Sequence, residues 1–438
     1  MSIGAENGQG AAPAGAGLYR YYVLAALLVV YTLNYLDRQF LTVLVEPVEK
    51  SLHLSDTQMG ALTGPLFAVF YTVLGIPIGL WADRANRVRI VALACTVWSL
   101  FTAACGFATG FVSLAIPRMG VGVGEAGGSP PAYSILSDYF PPRRRGVAMA
   151  LYSLGVPFGF MFGALSGGYI AAHSGWQTAF KALGVMGLVV APIFYLTVRE
   201  PPRGRFDASD EPPGDPLAAI LLFFRRPVLG LTALSAAVTA FFGYGVVVWT
   251  PALLIRAKHM SLDQVAVYYA LSSGAAGIVG TLLSGVLVDW LGQKRAGAYA
   301  LVPAAAMLLS LPFTVGAVLA PTWPIALAFL MGPSLFNNMF LPAGLAVVQN
   351  HAPVRQRVVS GALLLFAMNL VGLGGGPLFV GFMSDRFKPY VGAARGLEYG
   401  MLCLAPVAGL AVVIHLVTGH VLEREARKST SPAQPAHA

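Results

Sequence analysis

The sequence predicts an all-α integral membrane protein: twelve transmembrane helices arranged as two pseudo-symmetric six-helix bundles. Three observations carry that prediction. Of the 438 residues, 56% are hydrophobic and 11% charged, and mean hydropathy is +0.69; a soluble domain is about 45–50% apolar and about 25% charged. The apolar residues gather in twelve runs, each close to the ~20 residues that cross a bilayer. Two loop patterns recur about half a chain apart, dividing the runs into six and six. So few charges cannot cover a water-facing surface, which excludes a soluble enzyme.

The runs fall at 19–45, 58–82, 90–109, 111–140, 147–172 and 177–197, then at 228–255, 262–288, 298–319, 322–349, 359–384 and 398–422. They are too long and continuous for the ten-residue alternating strands of a membrane barrel. The first run follows only one basic residue, Arg20, and exceeds 25 residues, so it reads as a retained helix rather than a cleaved signal. The expected organisation is a flexible tail at 1–18, a six-helix bundle at 19–197, a linker at 198–227, a second bundle at 228–422 and a tail at 423–438. The linker is rich in Pro and charge. Its end, PLAAILLFFRRP (216–227), is too short to span and reads as an interfacial helix.

Loop charge sets the expected orientation. One side receives 19 Lys and Arg, among them Arg84, Arg87, Arg89, the run 143–145 and five in the linker; the other receives 7, and Arg38 and Arg118 lie within helices. Both termini are therefore expected in the cytoplasm, in a plasma (bacterial inner) membrane. The net charge of +9 is accounted for by topology, with no basic face for nucleic acid. Cys95, Cys105 and Cys403 are isolated in apolar runs and read as small core residues.

The repeated loops are GLWADRANRVR (79–89) with GVLVDWLGQKR (285–295), offset 206, and PRRRGVAMA (142–150) with PVRQRVVSG (353–361), offset 211. The first pair resembles the signature loop of the major facilitator superfamily and its second-half copy. RMGVGVGE (118–125) is similar to the helix 4 signature, and GVPFGFMFGALSGG (155–168) to the Gly-Pro motif of helix 5. NYLDR (34–38), SDYFPPRRRG (137–146), VVWTPALL (247–254) and NLVGLGGGPLFVGFMSD (369–385), with RMGVGVGEA (118–126), resemble the spinster family. That resemblance implies the major facilitator fold, proton coupling and, from known members, lysophospholipid or sphingosine phosphate substrates.

Asp37, Arg38, Arg118 and Glu125 lie inside helices 1 and 4. Facing lipid, each would cost about 2.5–3.5 kcal/mol, so they should face a cavity or one another. Asp37 lies 18 residues from the inner end of its run, Glu125 15 and Arg118 22; at ~1.5 Å per residue these levels agree within about 10 Å. Neither helix can pair its own charges, because 37 and 38 point about 100° apart and 118 and 125 lie two turns apart. Crosswise contacts between the helices remain, with Asp37 and Glu125 competing for Arg118 and Arg38. The two carboxylates are the proton-coupling candidates. Arg38, Arg118, Asn34, Tyr244, Trp249, Asn337, Asn338 and Asn369 are the substrate-binding candidates. Asp83 and Asp289 each end a helix beside basic residues. In the resembled superfamily such an aspartate latches the facing half, and Arg84, Arg87, Lys294 and Arg295 accompany them as gating candidates.

GVGVGEAGG (120–128) lacks a preceding strand and reads as close helix packing rather than a nucleotide loop. No metal motif occurs, and His351, His415 and His420 read as residues near helix ends. The expected function is a monomeric, proton-coupled transporter of an amphipathic or lipid-like organic anion, with no cofactor besides the proton and with membrane lipids as partners. The alternatives are uptake of small organic acids such as sugar acids or aromatic carboxylates, and multidrug export. An enzyme would need a clustered His, Ser or Cys constellation that the sequence lacks.

Overall fold

In lipid a backbone can satisfy its own polar groups only as a helix or a closed barrel, and a computed structural model shows the helical solution. It describes residues 15–82, 84–204, 206, 216–353 and 356–430, with helices and no strand among them. By length and apolarity, nine described helices qualify as membrane spans. The count becomes twelve for three reasons. The stretch Val359–Arg427 counts as one but reverses at Gly392. The first helix, Gly15–Val43, carries Arg20, Asp37 and Arg38. The fourth is broken into Phe111–Glu125 and Ser129–Tyr139. At Gly392 φ is 82°, a left-handed value that glycine adopts without side-chain strain.

Spans 1 (Gly15–Val43), 3 (Arg87–Cys105), 6 (Trp176–Thr197), 7 (Pro227–Arg256) and 9 (Ala298–Leu319) are continuous helices. The others are interrupted. Span 2 (Asp56–Ala82) breaks at Gly64. Span 5 breaks between Pro142–Ser153 and Gly155–Ser174. Span 10 breaks between Trp323–Phe336 and Phe340–His351. Spans 8 and 11 carry π-turns at Val265–Tyr269 and Met368–Leu373, and span 12 breaks at 403–404. The break in span 4, at 126–128, and that in span 10, at 337–339, are 211 residues apart, the offset of the second loop echo. Broken helices at membrane depth belong where they line a cavity.

Several expected boundaries shift. Span 1 begins at Gly15 rather than 19 and ends at Val43, followed by a separate short helix, Val45–Leu52. Span 12 runs on to Thr430, past the expected 422. The linker helix forms at Pro216–Arg225, with Leu221 and Phe224 exposed and Phe223 buried. A further echo appears at the turns opposite the termini. His53 and His259, again 206 apart, both take positive φ. Each precedes a serine, Ser55 or Ser261, that forms a capping box with Gln58 or Gln264. Serine at N-cap and glutamine three residues on satisfy two otherwise unpaired backbone donors.

The polar contacts between the two bundles gather at that far side. Arg256 of span 7 bonds Glu46 at 2.9 Å, Glu49 at 2.7 Å and Asp56 at 3.0 Å. Asp385 of span 11 accepts from the backbone N–H of Asp56 and of Thr57, at 3.2 and 2.8 Å. Gly60 meets span 11 so closely that a Cβ would lie 2.5 Å from the Pro377 carbonyl oxygen. On the termini side, the Arg87 contacts to Asp138 and Glu200 stay within the first bundle and its linker, and that of Gly297 to Glu423 within the second bundle. The cleft between bundles is thus closed on the far side.

Candidate functional site

Glycines bring span 4 level with its neighbours. A Cβ on Gly124 would lie 2.5 Å from the backbone N of Trp98 on span 3, and one on Gly122 would lie 2.7 Å from the Phe67 carbonyl on span 2. The RMGVGVGE string is therefore a close-packing surface on two sides, as its glycine spacing suggests. On span 5, Gly159 and Gly163 do the same against span 1, near the carbonyls of Thr32 and Leu36. These contacts press span 4 onto spans 2 and 3, and span 5 onto span 1, beside the four central charges.

The charges pair crosswise between spans 1 and 4. Arg38 Nε donates to Glu125 Oε2 at 2.7 Å, and Arg118 Nη1 to Asp37 Oδ1 at 3.3 Å. Asp37 also accepts from Thr102 Oγ1 of span 3. The carboxylates are 1% exposed or less at Glu125 and Asp37, and Arg118 is 2% exposed. The side chain of Arg38 keeps 14% exposure, so it is the one charge of the four that is partly exposed. Aromatic rings flank it: Tyr71, Tyr35 and Phe67 have centroids 4.4, 4.8 and 5.0 Å from its guanidinium carbon. Phe67 also lies 5.3 Å from that of Arg118, so a neutral ring separates two cations. Such faces attract cations while excluding water.

Several buried polar atoms here lack a partner among the described residues: Arg38 Nη2, Glu125 Oε1, Arg118 Nε, both amide atoms of Asn34, Thr72 Oγ1 and Gln39 Nε2. Buried polar atoms ordinarily bond, so these stand out. Thr72, Gln39, Thr102 and the Arg38 aromatic ring were not legible as site residues; only their proximity to the charges marks them.

The second bundle presents neutral groups. Asn337, at the break in span 10, accepts from Ser310 Oγ at 3.0 Å. Exposed Asn338 donates to the Ser334 carbonyl at 2.7 Å. Asn369 is half-buried on the π-turn of span 11, and Tyr244 lies within electrostatic range of Arg38. Trp249 is fully buried, and its indole N–H donates to the Pro377 carbonyl at 2.8 Å. It clamps span 7 to span 11 and offers no polar group to a ligand in this conformation. His415 corrects the reading of it as a residue near a helix end. It is buried well inside Ala405–Thr430 and bonds Thr239 of span 7 at 3.0 Å.

The gating candidates make no described contact with the facing bundle. Arg87, 3% exposed, is held by Asp138, Glu200, Ser134 and the Pro201 carbonyl, a staple of the first bundle to the linker. Arg84 and Arg295 are exposed, and Lys294 lies 4.0 Å over the Trp290 ring. Asp83 and the side chain of Asp289 lie outside the described residues. The far-side cluster around Arg256 was missed. There, burial, then the charges of Asp56 and Glu46, push the Glu49 carboxyl up to about 8 against the pull of Arg256.

The model of the Major Facilitator Superfamily matches residues 27–376. A solved structure, a bacterial homolog of the human lysosomal transporter spinster in an inward-facing, unoccupied conformation, is 32% identical. It covers 97% of this chain and 100% of its own, with a TM-score of 0.86. An MFS-type efflux pump of Mycolicibacterium smegmatis is 32% identical over 84% of this chain and 86% of its own. The hexuronate transporter of Bacillus subtilis is 27% identical over 89% and 93%.

Proposed function

Because the chain belongs to the major facilitator superfamily, and to its spinster branch, it is a membrane transporter, and we propose that it couples protons to an amphipathic or lipid-like organic anion. One observation supports this most: a buried carboxylate, Glu125, holds Arg38, the partly exposed arginine of the central pairs. Protonating Glu125 discharges it and frees Arg38 for an anionic head group. Losing the proton restores the pair as substrate leaves. Arg118, sealed against Asp37, which Thr102 also holds, serves to position span 4. Of the two arginines expected to bind substrate, the head-group role therefore falls to Arg38.

The closed far side and the bias of basic loops support an inward-facing transporter with both termini in the cytoplasm. A single chain contains both bundles and the whole charge network, so a monomer suffices. The second bundle supplies neutral, mutually bonded polar groups, which suits the apolar portion of an amphipathic substrate.

Ligand-induced thermal stabilisation of the purified protein tests the reading at about pH 5.5 and about pH 8, on either side of a tuned carboxylate. Lysophospholipids or sphingoid phosphates should stabilise wild type in a pH-dependent way, and Arg38→Ala should lose the effect. Glu125→Gln should bind without pH dependence. Stabilisation by hexuronates or aromatic acids instead would favour small-acid uptake, and by lipophilic cations, multidrug export.

A further inference from the structure

We propose that Asn34 anchors an internal water molecule in the first bundle, and that this water passes protons to Glu125. The second half of this inference rests on the proton-coupled reading above. Asn34 is 3% exposed, yet both its amide oxygen and its amide nitrogen lack partners. It lines a narrow cavity of about 10 Å³, close to the least volume that admits one water. An amide with donor and acceptor both unpaired, in a mostly apolar wall, selects a small ligand that can donate and accept at once.

Asn34, Trp98 and Gly128 line the cavity together. Gly128 sits at the break of span 4, where a Cβ would lie 3.9 Å from Asn34 Nδ2 and 3.3 Å from the Glu125 carbonyl. Any larger residue there would narrow the space between Asn34 and the Glu125 turn. Leu27, Val91 and Ala132, all buried, line it too. Val91 lies in the first turn or so of span 3, which starts at Arg87 on the termini side. From Val91 to Trp98 is seven residues, about 10 Å of helix. Asn34 is also one turn from Arg38, on the same face of span 1, and Arg38 holds Glu125. The charged groups facing Glu125 are Arg38, Asp37 and Arg118. The cavity wall adds the phenols of Tyr31 and Tyr152, whose rings stack at 4.3 Å. Asn34 is thus the unpaired amide of the wall, one helical turn from the arginine that holds Glu125.

Radiolytic footprinting of the full-length protein, with water itself as the probe, tests the water site. Hydroxyl radicals formed from a bound water oxidise the aromatic rings beside it. Trp98 and Tyr31, although buried, should be oxidised at a rate near that of exposed Tyr390, and far above that of Trp249, which is sealed on the far side. Asn34→Leu should lose both labels, and Asn34→Ser, which keeps a hydroxyl, should retain them. Trp98 and Tyr31 as slow as Trp249 in wild type would overturn the site, even if the leucine variant fails to fold. The relay is read by infrared spectroscopy after a pH jump, with the Glu125 band assigned by its loss in Glu125→Gln. Protonation should slow about tenfold in Asn34→Leu, the rate equivalent of one lost hydrogen bond, and recover in Asn34→Ser. An unchanged rate would overturn the relay. Absence of any titrating Glu125 band in wild type would instead overturn the coupling reading and the relay with it, leaving the water site to stand or fall on the footprint.

Discussion

The two bundles share a plan and differ in what they bury. Both turn at a left-handed histidine and a serine–glutamine capping box on the far side, and both break their fourth helix at equivalent places. At the centre the first bundle holds two arginines and two carboxylates in crosswise pairs. The second holds neutral pairs, Ser310 with Asn337 and Thr239 with His415. The difference shows that the repeated scaffold does not require charge: a neutral interior builds the same six-helix packing. The ion pairs of the first bundle therefore call for a reason beyond architecture, since buried pairs seldom stabilise more than apolar residues of the same shape.

The sharpest way to break the comparison is to unpair a charge. Asp37→Ala strands Arg118 in the protein interior and should cost about 3–5 kcal/mol, read as a large fall in the thermal unfolding midpoint in detergent. Combining it with Arg118→Leu should return much of that loss; no recovery would mean the pair is not the unit. Next, Gly60→Ala places a Cβ against the Pro377 carbonyl across the bundle boundary. Overpacking of that kind costs about 1–3 kcal/mol. Here it should act on closure, lengthening far-side distances between spin labels on the two bundles.

A pH effect follows from Glu49. Its carboxyl titrates near 8 while the far side is closed and near the ordinary carboxylate value of about 4.3 once opened to water. The closed form thus binds more protons between those values. Its stability relative to the open form is fully present at the acid end and falls as pH rises toward 8. Double electron–electron resonance across the far side should show closure weakening with pH, and Glu49→Gln should flatten the response. The smallest effect belongs to the second bundle: His415→Leu removes one neutral hydrogen bond, worth about 1 kcal/mol, and should leave the pH dependence of transport unaltered. A pH profile that moved with His415 would erase the contrast between the halves.

The helices were legible because an apolar run of that length has one stable fate in lipid. The four central charges were legible for the same reason inverted: in such a run a charge must find a partner, and helix geometry left only crosswise ones. The breaks in spans 4 and 10 were not, because the glycines at 127–128 fit close packing equally well and Asn337 and Asn338 read as cavity polar groups. The far-side cluster was hidden by distance. Arg256 lies 200 residues from Asp56, and Glu46, Glu49 and Asp56 fall between the first two expected runs, where charges are ordinarily solvated. The HxSxxQ echo stood in the sequence at 53–58 and 259–264, but it is a local capping device and gives no hint of the interface built beside it. His415 was masked by the apolar helix around it.

The crosswise pairing also sets a timetable for biosynthesis. Asp37 and Arg118 are 81 residues apart. At about 5–20 residues per second, a ribosome takes roughly 4–16 s to deliver the partner. For that interval the newly inserted first helix carries an aspartate and an arginine with no fourth helix to neutralise them. The nascent chain must therefore be held at the insertion machinery, or at a wet protein surface, until span 4 arrives, and the cell's first encounter with this charge network is an assembly step rather than a transport cycle.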